Sequence, residues 1–478
     1  MARLWASISE HAALYAALGL VALLYVPTLN DPFHGDDFVA FKDFGTRSGF
    51  EYIRDAFLFK DSNVYWRPLG CAVHFLLFDL WGFDAFAFRL AGLFVFLLTL
   101  VALYVFCVRE RLGPLVSLGA VLIFGLLPNH VVSVAWVTNT SRLMAVLFIV
   151  ACLLMLQFRP RKLWHEGLAW LGFMAAVLSD ETAMALAPVP LLYAAVLTSE
   201  RIHWRSNLAR MVAYAVPVLA LLPLQFQNTL NDEPRLATYG LGTHMFTQTW
   251  ALASQLVLPV TQTTPVDVLL YRIEPVQWAA GIVGIVAAVV LFLFGSARMR
   301  FLLVWLGLSL APFTLWGVNY TSPRYVYMAA LPYAIVLSWL IVSLVAQVHV
   351  WPLLVRRTAM ATAAAALAGA AFVSGLTVVG RNDAWSAQAF SYGRLVDDMR
   401  QALPEVPPNS RIVIYYSPWP DFWASSVVQS IYEDPTIRVV NVRRNRVESG
   451  LPLRRANDIV LFYTGDKLIP MTGARTPQ

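Results

Sequence analysis

Residues 30–44 read NDPFHGDDFVAFKDF and directly follow the first apolar segment of a 478-residue chain. Asp36 and Asp37 stand side by side here, although adjacent carboxylates repel each other and each needs water or a cation. Such pairs are common in turns and at helix starts, so a capping role and a functional role are both open at this point. The rest of the chain decides between them.

The composition places this stretch in a membrane protein. Hydrophobic residues make up 58% of the chain and charged residues 13%, whereas a soluble chain has about a quarter charged residues. Apolar runs long enough to cross a bilayer recur throughout, and the 16 Trp suit interfacial belts. The net charge of +6 is modest and does not suggest nucleic-acid binding. The three Cys are isolated and form no CxxC, which indicates neither a disulfide framework nor a zinc site.

The apolar pattern predicts a polytopic α-helical membrane protein with about eleven spans. The predicted spans lie near 11–28, 85–108, 114–128, 141–158, 167–179, 183–198, 209–227, 277–295, 301–316, 326–347 and 358–379. The apolar piece 69–82 is short and is predicted to be a re-entrant or interfacial helix. No small-residue cleavage site follows the first span, which is therefore expected to remain as an anchor.

Arginine marks one side of the predicted membrane. The short loops 109–113, 159–166, 199–210, 295–300 and 355–357 are rich in Arg and contain few acids. By the positive-inside rule these loops and the N-terminus are cytoplasmic. The loops 29–68 and 228–276 and the C-terminal tail are then extracytoplasmic. Arg greatly outnumbers Lys, as in GC-rich bacterial genomes, so a bacterial inner membrane is the expected location.

Two domains are predicted, a transmembrane module over 1–379 and a small soluble α/β domain over 380–478. In the second, RIVIYYSP (411–418), TIRVVNV (436–442) and NDIVLFYT (457–464) have the pattern of short buried strands. A helix over 384–403 is predicted to precede them, and a shorter one around 421–431 to lie between the first two. In the loop 228–276, an amphipathic helix is predicted around 243–258.

Six polar clusters fall at the predicted external ends of the spans. They contain Asp36 and Asp37, Arg67, His130, Arg142, Asp180 and Glu181, and Arg324 and Tyr325. Each cluster alone has an ordinary interpretation, such as a snorkelling arginine or a first-turn acid. Ionisable groups at membrane depth are costly unless they are paired or face a wet cavity, and six clusters on one side favour a functional site. A channel or exchanger would scatter such groups through the midplane.

The chemistry of this set suits sugar transfer from a lipid phosphate. A carboxylate near the membrane surface offers a general base for an acceptor hydroxyl. Arginines offer a grip for the phosphate on which negative charge grows as the sugar departs. A sugar carried on a membrane-embedded polyprenyl phosphate meets both needs.

The order of the motifs resembles the GT-C superfamily of glycosyltransferases, and within it the transmembrane O-mannosyltransferase-like group. That group shows an acidic pair, RPL, HPxHxExVAWVSGRxD, LSKE and ERYLY. This chain has GDD (35–37), WRPL (66–69), LPNHVVSVAWVTNTSR (127–142), LSDE (178–181) and SPRYVY (322–327), in the same order. The match covers about residues 30–330 and leaves out the tail.

The resemblance implies a role for each residue. Asp36 is expected to be the base, because related enzymes place it first in the pair. Asp37 is expected to orient the acceptor, or a divalent cation if one is used; no other cofactor is implied. Arg324, Arg67, Tyr325 and His130 are expected to bind the donor phosphate, and Glu181 to support the cavity. The partners implied are a polyprenyl-phosphate sugar and a hydroxyl acceptor on a protein, lipid or glycan.

Two positions depart from the family pattern with opposite changes of sign. Arg142 stands where the pattern has Asp, and Asp180 stands where it has Lys. We therefore predict that the two face each other as an ion pair whose charges are exchanged in this chain, and that Asp180 is structural.

Two other classes of function stay open. A lipid-sugar or polysaccharide transporter or polymerase would show a polar path through the membrane. A non-catalytic membrane scaffold would tolerate the loss of both Asp36 and Asp37.

Overall fold

A computed structural model describes most of the chain. The described residues are 2–42, 44, 48–58, 66–158, 162–197, 204–230, 240–259, 274–315, 322–348, 352–417, 419, 421–442, 457–465 and 467–471. Of the second predicted external loop, residues 231–239 and 260–273 lie outside this set.

Helices dominate the described residues. The α-helices are α1 Ala2–Tyr25, α2 Gly35–Phe41, α3 Gly49–Phe57, α4 Pro68–Trp81, α5 Ala85–Arg109, α6 Pro114–Gly125, α7 Val131–Ala135, α8 Thr140–Leu156, α9 Leu163–Ser179, α10 Pro188–Leu192, α11 Trp204–Leu230, α12 His244–Val257, α13 Glu274–Phe294, α14 Ala297–Thr314, α15 Tyr327–Gln347, α16 Leu353–Ala402 and α17 Asp421–Ile431. Short 3₁₀ segments lie at Val26–Asn30, Pro128–His130, Val137–Asn139, Glu181–Leu186 and Pro323–Val326, and a π-helical turn at Tyr193–Leu197.

Local sequence explains where several of these helices begin. Pro68 and Pro114 stand at the first position of α4 and α6, where a missing N–H costs nothing. The Asp84 side chain accepts the backbone N–H of Phe86 at 3.0 Å and caps α5. Ser296 caps α14 in the same way, through Met299 N–H at 3.3 Å. The observed ends therefore follow from ordinary capping.

Six helices in the described part are long and apolar enough to cross a membrane. They are His11–Asn30, Ala85–Arg109, Val137–Leu156, Pro275–Phe294, Pro323–Gln347 and Leu353–Ala402. The pair Pro114–Gly125 and Pro128–Ala135, bent by 50°, makes a seventh if it is one broken span. The chain is thus an integral membrane protein. Among the described residues, the eleven predicted spans lie mainly on helical segments. Those outside these seven are shorter or less apolar, and the count of eleven is not confirmed.

Close helix packing surrounds the predicted site. A Cβ atom on Gly70 of α4 would lie 2.7 Å from the Cβ of Ser141 on α8, nearer than real Cβ contacts come. Glycine is therefore needed where α4 meets α8. This approach brings the Arg67 end of α4 beside the first turn of α8, which carries Arg142.

The C-terminal part contains one four-stranded sheet. Its strands are β1 Arg411–Tyr415, β2 Arg438–Val442, β3 Ile459–Tyr463 and β4 Leu468–Pro470, in the order β2-β1-β3-β4. β1 is parallel to β2 and β3, and β4 is antiparallel to β3. The first three strands and α17 lie where the sequence predicts them, while β4 is additional.

This C-terminal part shares a core with the loop that carries the acidic pair. One cluster of buried side chains joins Phe33, Phe38 and Phe41 to Ile412 and Leu461 of the sheet. The boundary between 379 and 380 falls inside α16, which is continuous over 50 residues. The division into two domains stays a prediction, and the sheet packs directly on the acidic loop.

Candidate active site

Asp37 has a capping role at the start of α2. Its Oδ2 accepts the backbone N–H of His34 at 2.8 Å, and its Oδ1 accepts the backbone N–H of Thr138 at 3.2 Å. The side chain is completely buried. Asp37 therefore ties the acidic loop to the VAWVT segment, 101 residues further along the chain. This placement gives it a structural role and contrasts with its predicted contact with the acceptor.

Asp36 has a different setting, although it is the adjacent residue. Its carboxylate is half-buried and its Oδ1 accepts the indole N–H of Trp423 at 2.5 Å. Its Oδ2 accepts no hydrogen bond from the described residues. Asp36 is thus the member of the pair that has an oxygen left for a ligand.

Burial raises the pKa of both carboxyls. For Asp37 burial raises the pKa to about 7, against the opposing charge of Arg89 and the two backbone N–H groups. For Asp36 burial also raises the pKa, while the Trp423 hydrogen bond and the positive charge of Arg324 lower it. At neutral pH the pair therefore carries less than its full charge of two, which explains how adjacent acids coexist here.

Arg89 is a buried cation beneath the acidic loop that the sequence reasoning missed. It extends from α5 and donates to the carbonyl oxygens of Asp31 at 3.1 Å and Pro32 at 2.6 Å, and to that of Ala135. Three carbonyls from two segments converge on one guanidinium, which fixes the loop against the VAWVT segment. The sequence did carry a signal for Arg89, because it is a charged residue five positions into the apolar run that begins at Ala85.

Arg67 is paired with acids. Its Nε lies 2.6 Å from Oε2 of Glu181 and its Nη2 lies 2.7 Å from Oε1 of the same carboxylate. The Nη2 also lies 3.7 Å from Oδ2 of Asp180. A bidentate pair of this kind leaves little of the guanidinium for a phosphate. Glu181 and Arg67 therefore form part of the frame, and the predicted donor contact of Arg67 finds no support here.

The predicted ion pair between Arg142 and Asp180 is confirmed. The Nε of Arg142 lies 3.0 Å from Oδ2 of Asp180, and both side chains are buried. Oδ1 of Asp180 accepts the backbone N–H of Thr182 at 3.0 Å. Burial alone would raise the pKa of Asp180, but Arg142 and Arg67 outweigh it and lower the pKa. Asp180 is a buried structural anion.

Of the three arginines predicted at the site, Arg324 is the one that contacts no acid among the described residues, whereas Arg67 and Arg142 are both paired. Its guanidinium carbon lies 4.4 Å from the centre of the Trp136 ring. Its Nε is buried and has no hydrogen-bond partner among the described residues. Its backbone carbonyl accepts Nη1 of Arg142 at 3.5 Å, which links this segment to the ion-pair frame. A buried N–H donor without a partner is costly, so this guanidinium is suited to an anionic ligand.

Tyr325 and His130 lie among aromatic side chains. The Tyr325 ring stacks on Phe313 with centroids 4.7 Å apart. His130 is fully buried, with its ring 4.4 Å from Phe124 and 4.7 Å from Tyr327. Both its ring nitrogens lack a hydrogen-bond partner among the described residues. The predicted phosphate contacts of these two residues stay predictions.

An aromatic wall beside Asp36 was also missed. The His34 ring stacks on Trp385 at 4.7 Å and lies 5.0 Å from Tyr392 and 5.8 Å from Trp423. These three aromatics belong to α16 and α17. Among the described residues, no group of three His, Cys, Asp or Glu side chains is placed to hold a metal ion, so a divalent cation has no ready-made site there.

Comparisons with known proteins rest on structure alone. No protein-family model and no curated protein matches the chain. The archaeal oligosaccharyltransferase AglB from Archaeoglobus fulgidus, in complex with an inhibitory peptide and a dolichol-phosphate, is similar with a TM-score of 0.51 and 13% identity. The match covers 90% of this chain and 65% of AglB, so this chain spans about two thirds of that protein.

ArnT from Cupriavidus metallidurans bound to undecaprenyl phosphate matches with a TM-score of 0.48 and 12% identity, over 97% of this chain and 99% of ArnT. At 13% identity the AglB comparison shows a shared fold alone, and this agrees with the fold expected from the motif resemblance.

Proposed function

We propose that this chain, which has the GT-C fold, is a membrane glycosyltransferase that moves a sugar from a polyprenyl-phosphate donor to an acceptor hydroxyl. One observation carries the proposal: the Arg324 guanidinium, whose Nε has no partner among the described residues, lies over Trp136, whose ring is 5.5 Å from that of His34 in the loop of Asp36. Within the described part of the chain, a carboxylate oxygen without a donor and a guanidinium without an acidic partner thus lie near each other. The dolichol-phosphate in the AglB structure supports this class of donor.

The proposed reaction is a single displacement. Oδ2 of Asp36 takes the proton of the acceptor hydroxyl as its oxygen forms a bond to the anomeric carbon. The bond between that carbon and the phosphate oxygen breaks, and the electron pair stays on the leaving polyprenyl phosphate. Arg324 stabilises the charge that grows on this phosphate.

The other polar residues form the frame of the site. Asp37 holds the start of α2 against Thr138, and Arg142 with Asp180 holds the segment of Arg324. Rigid supports of this kind fix the position of the base relative to the arginine that binds the phosphate. By the charge pattern of the loops, the N-terminus is cytoplasmic and the site is extracytoplasmic.

The test uses purified full-length protein in nanodiscs. Polyprenyl-phosphate mannose is the first donor, with other sugars and a panel of peptide, lipid and glycan hydroxyls as acceptors, and release of polyprenyl phosphate is measured. Asp36→Asn should lower turnover by about 10²- to 10⁴-fold. Asp79→Asn, at an exposed acid of α4, is the matched control and should behave as wild type.

Binding of the lipid phosphate is a second readout. Polyprenyl phosphate should raise the thermal midpoint of wild type and of Asp36→Asn, because the phosphate grip is intact in both. Arg324→Gln should lose this rise, whereas Arg394→Gln, at an exposed arginine of α16, should keep it. Transfer that survives in Asp36→Asn would show that the base is named wrongly.

A further inference from the structure

Trp423 reaches the acidic pair from the C-terminal part of the chain. It lies on α17, and its Nε1 donates to Oδ1 of Asp36 at 2.5 Å across 387 residues of sequence. We propose that Trp423 is a positioning residue for the transfer reaction, which holds the Asp36 carboxylate so that Oδ2 faces the acceptor hydroxyl. This inference rests on the proposed function, in which Asp36 is the base.

Helices α2 and α17 pack closely around this hydrogen bond. A Cβ atom on Gly35 would lie 2.9 Å from Cδ2 of Trp423 and 2.9 Å from the ring of Tyr392. The rings of Trp423 and Tyr392 meet edge to face at 5.6 Å. Ser430, also on α17, donates to the carbonyl of Phe38 at 3.4 Å. Helix α17 therefore lies directly on α2, and only glycine at position 35 admits the indole.

Several charged or titratable groups face Asp36. Arg324 favours the charged form of Asp36, and the charge of Asp36 in turn raises the pKa of the adjacent, buried Asp37. Tyr392 lies beside this site, with its ring 5.6 Å from the Trp423 ring. His34, the residue before Gly35, is kept neutral at pH 7 because burial lowers its pKa to about 4. Among the described residues, Trp423 is the group that donates a hydrogen bond to this carboxylate.

The hydrogen bond has an electronic consequence as well as a geometric one. An indole N–H that donates to a carboxylate in a partly buried site stabilises the charged form. Without the donor, burial would raise the pKa of Asp36 further. The base would then be protonated, and inactive, up to a higher pH. The C-terminal part of the chain thereby completes the site.

Trp423→Phe keeps the ring and removes only the N–H donor. The acidic limb of the pH profile of kcat/KM should move to higher pH by about one unit, and kcat should fall, with no loss of polyprenyl phosphate binding. Trp81→Phe removes the same group from an exposed indole and should leave the profile unchanged. A purely structural role for Trp423 would reduce the amount of active protein without moving the limb.

Gly35→Ala provides a second variant with the indole intact. The new methyl group would displace Trp423 from Asp36, so the acidic limb should move in the same direction. Gly375→Ala, where a Cβ meets nothing within 4 Å, is its control. If Asp36→Asn is inactive and both variants keep the wild-type limb, the role of Trp423 is overturned and the proposed function stands. If Asp36→Asn is active, the role of Trp423 and the proposed role of Asp36 as the base are both refuted.

Discussion

The Arg142–Asp180 pair makes a strong prediction for stability. The two side chains are 5% and 0% exposed and their Nε and Oδ2 atoms lie 3.0 Å apart. Arg142→Gln leaves the Asp180 carboxylate buried without its main counter-charge. Loss of one partner from a buried pair costs about 3–5 kcal/mol. Arg67 at 3.7 Å and the Thr182 hydrogen bonds remain, so we expect the lower end of that range.

The assay is the free energy of unfolding of the purified protein in detergent micelles, measured by titration with SDS. The matched control is Arg54→Gln. Arg54 also pairs with a neighbouring carboxylate, that of Asp55 at 2.9 Å, but its side chain is 45% exposed. An exposed pair contributes less than about 1 kcal/mol, so this variant should stay near wild type.

The exchange of charges between positions 142 and 180, relative to the family pattern, can be tested with a double variant. Arg142→Asp with Asp180→Lys places the signs as the family pattern has them. The double variant should be more stable than the sum of the two single changes predicts, because the reversed charges again attract. A cost for Arg142→Gln no larger than that of the Arg54 control, or strict additivity in the double variant, would refute the reasoning.

Two further predictions concern the acidic loop. Because the pKa of Asp37 is raised to about 7 in the folded state, its contribution favours folding at low pH and is lost as pH rises from about 4 to about 7. Asp37→Asn should remove the contribution of Asp37 to the fall in unfolding free energy over this window, which is about 4 kcal/mol. An equally steep fall in the variant would contradict the raised pKa of Asp37. Arg89→Gln should lower transfer by roughly tenfold to a hundredfold in the nanodisc assay, because the loop that positions Asp36 loses its anchor. Arg89→Lys should not rescue it, since one ammonium cannot reach three carbonyls in a planar fork, and full rescue would show that charge alone matters.

The sequence alone determined the helical membrane class, the strands of the tail and the clusters of polar residues that meet. The length of an apolar run and the alternation of a strand are local properties, because they depend only on residues that are close together in the sequence. The ion pair of Arg142 with Asp180 was also accessible, because two departures of opposite sign from one motif pattern indicate a shared contact.

Tertiary structure alone separated the two aspartates into a buried cap and a half-buried carboxylate. It also paired Arg67 with Glu181 and left Arg324 without a carboxylate partner among the described residues. The physical reason is that the charged state and the role of a polar side chain depend on which donors surround it. Trp423, 387 residues from Asp36, becomes its hydrogen-bond donor only when α17 packs on α2, and no local pattern in the sequence encodes that contact.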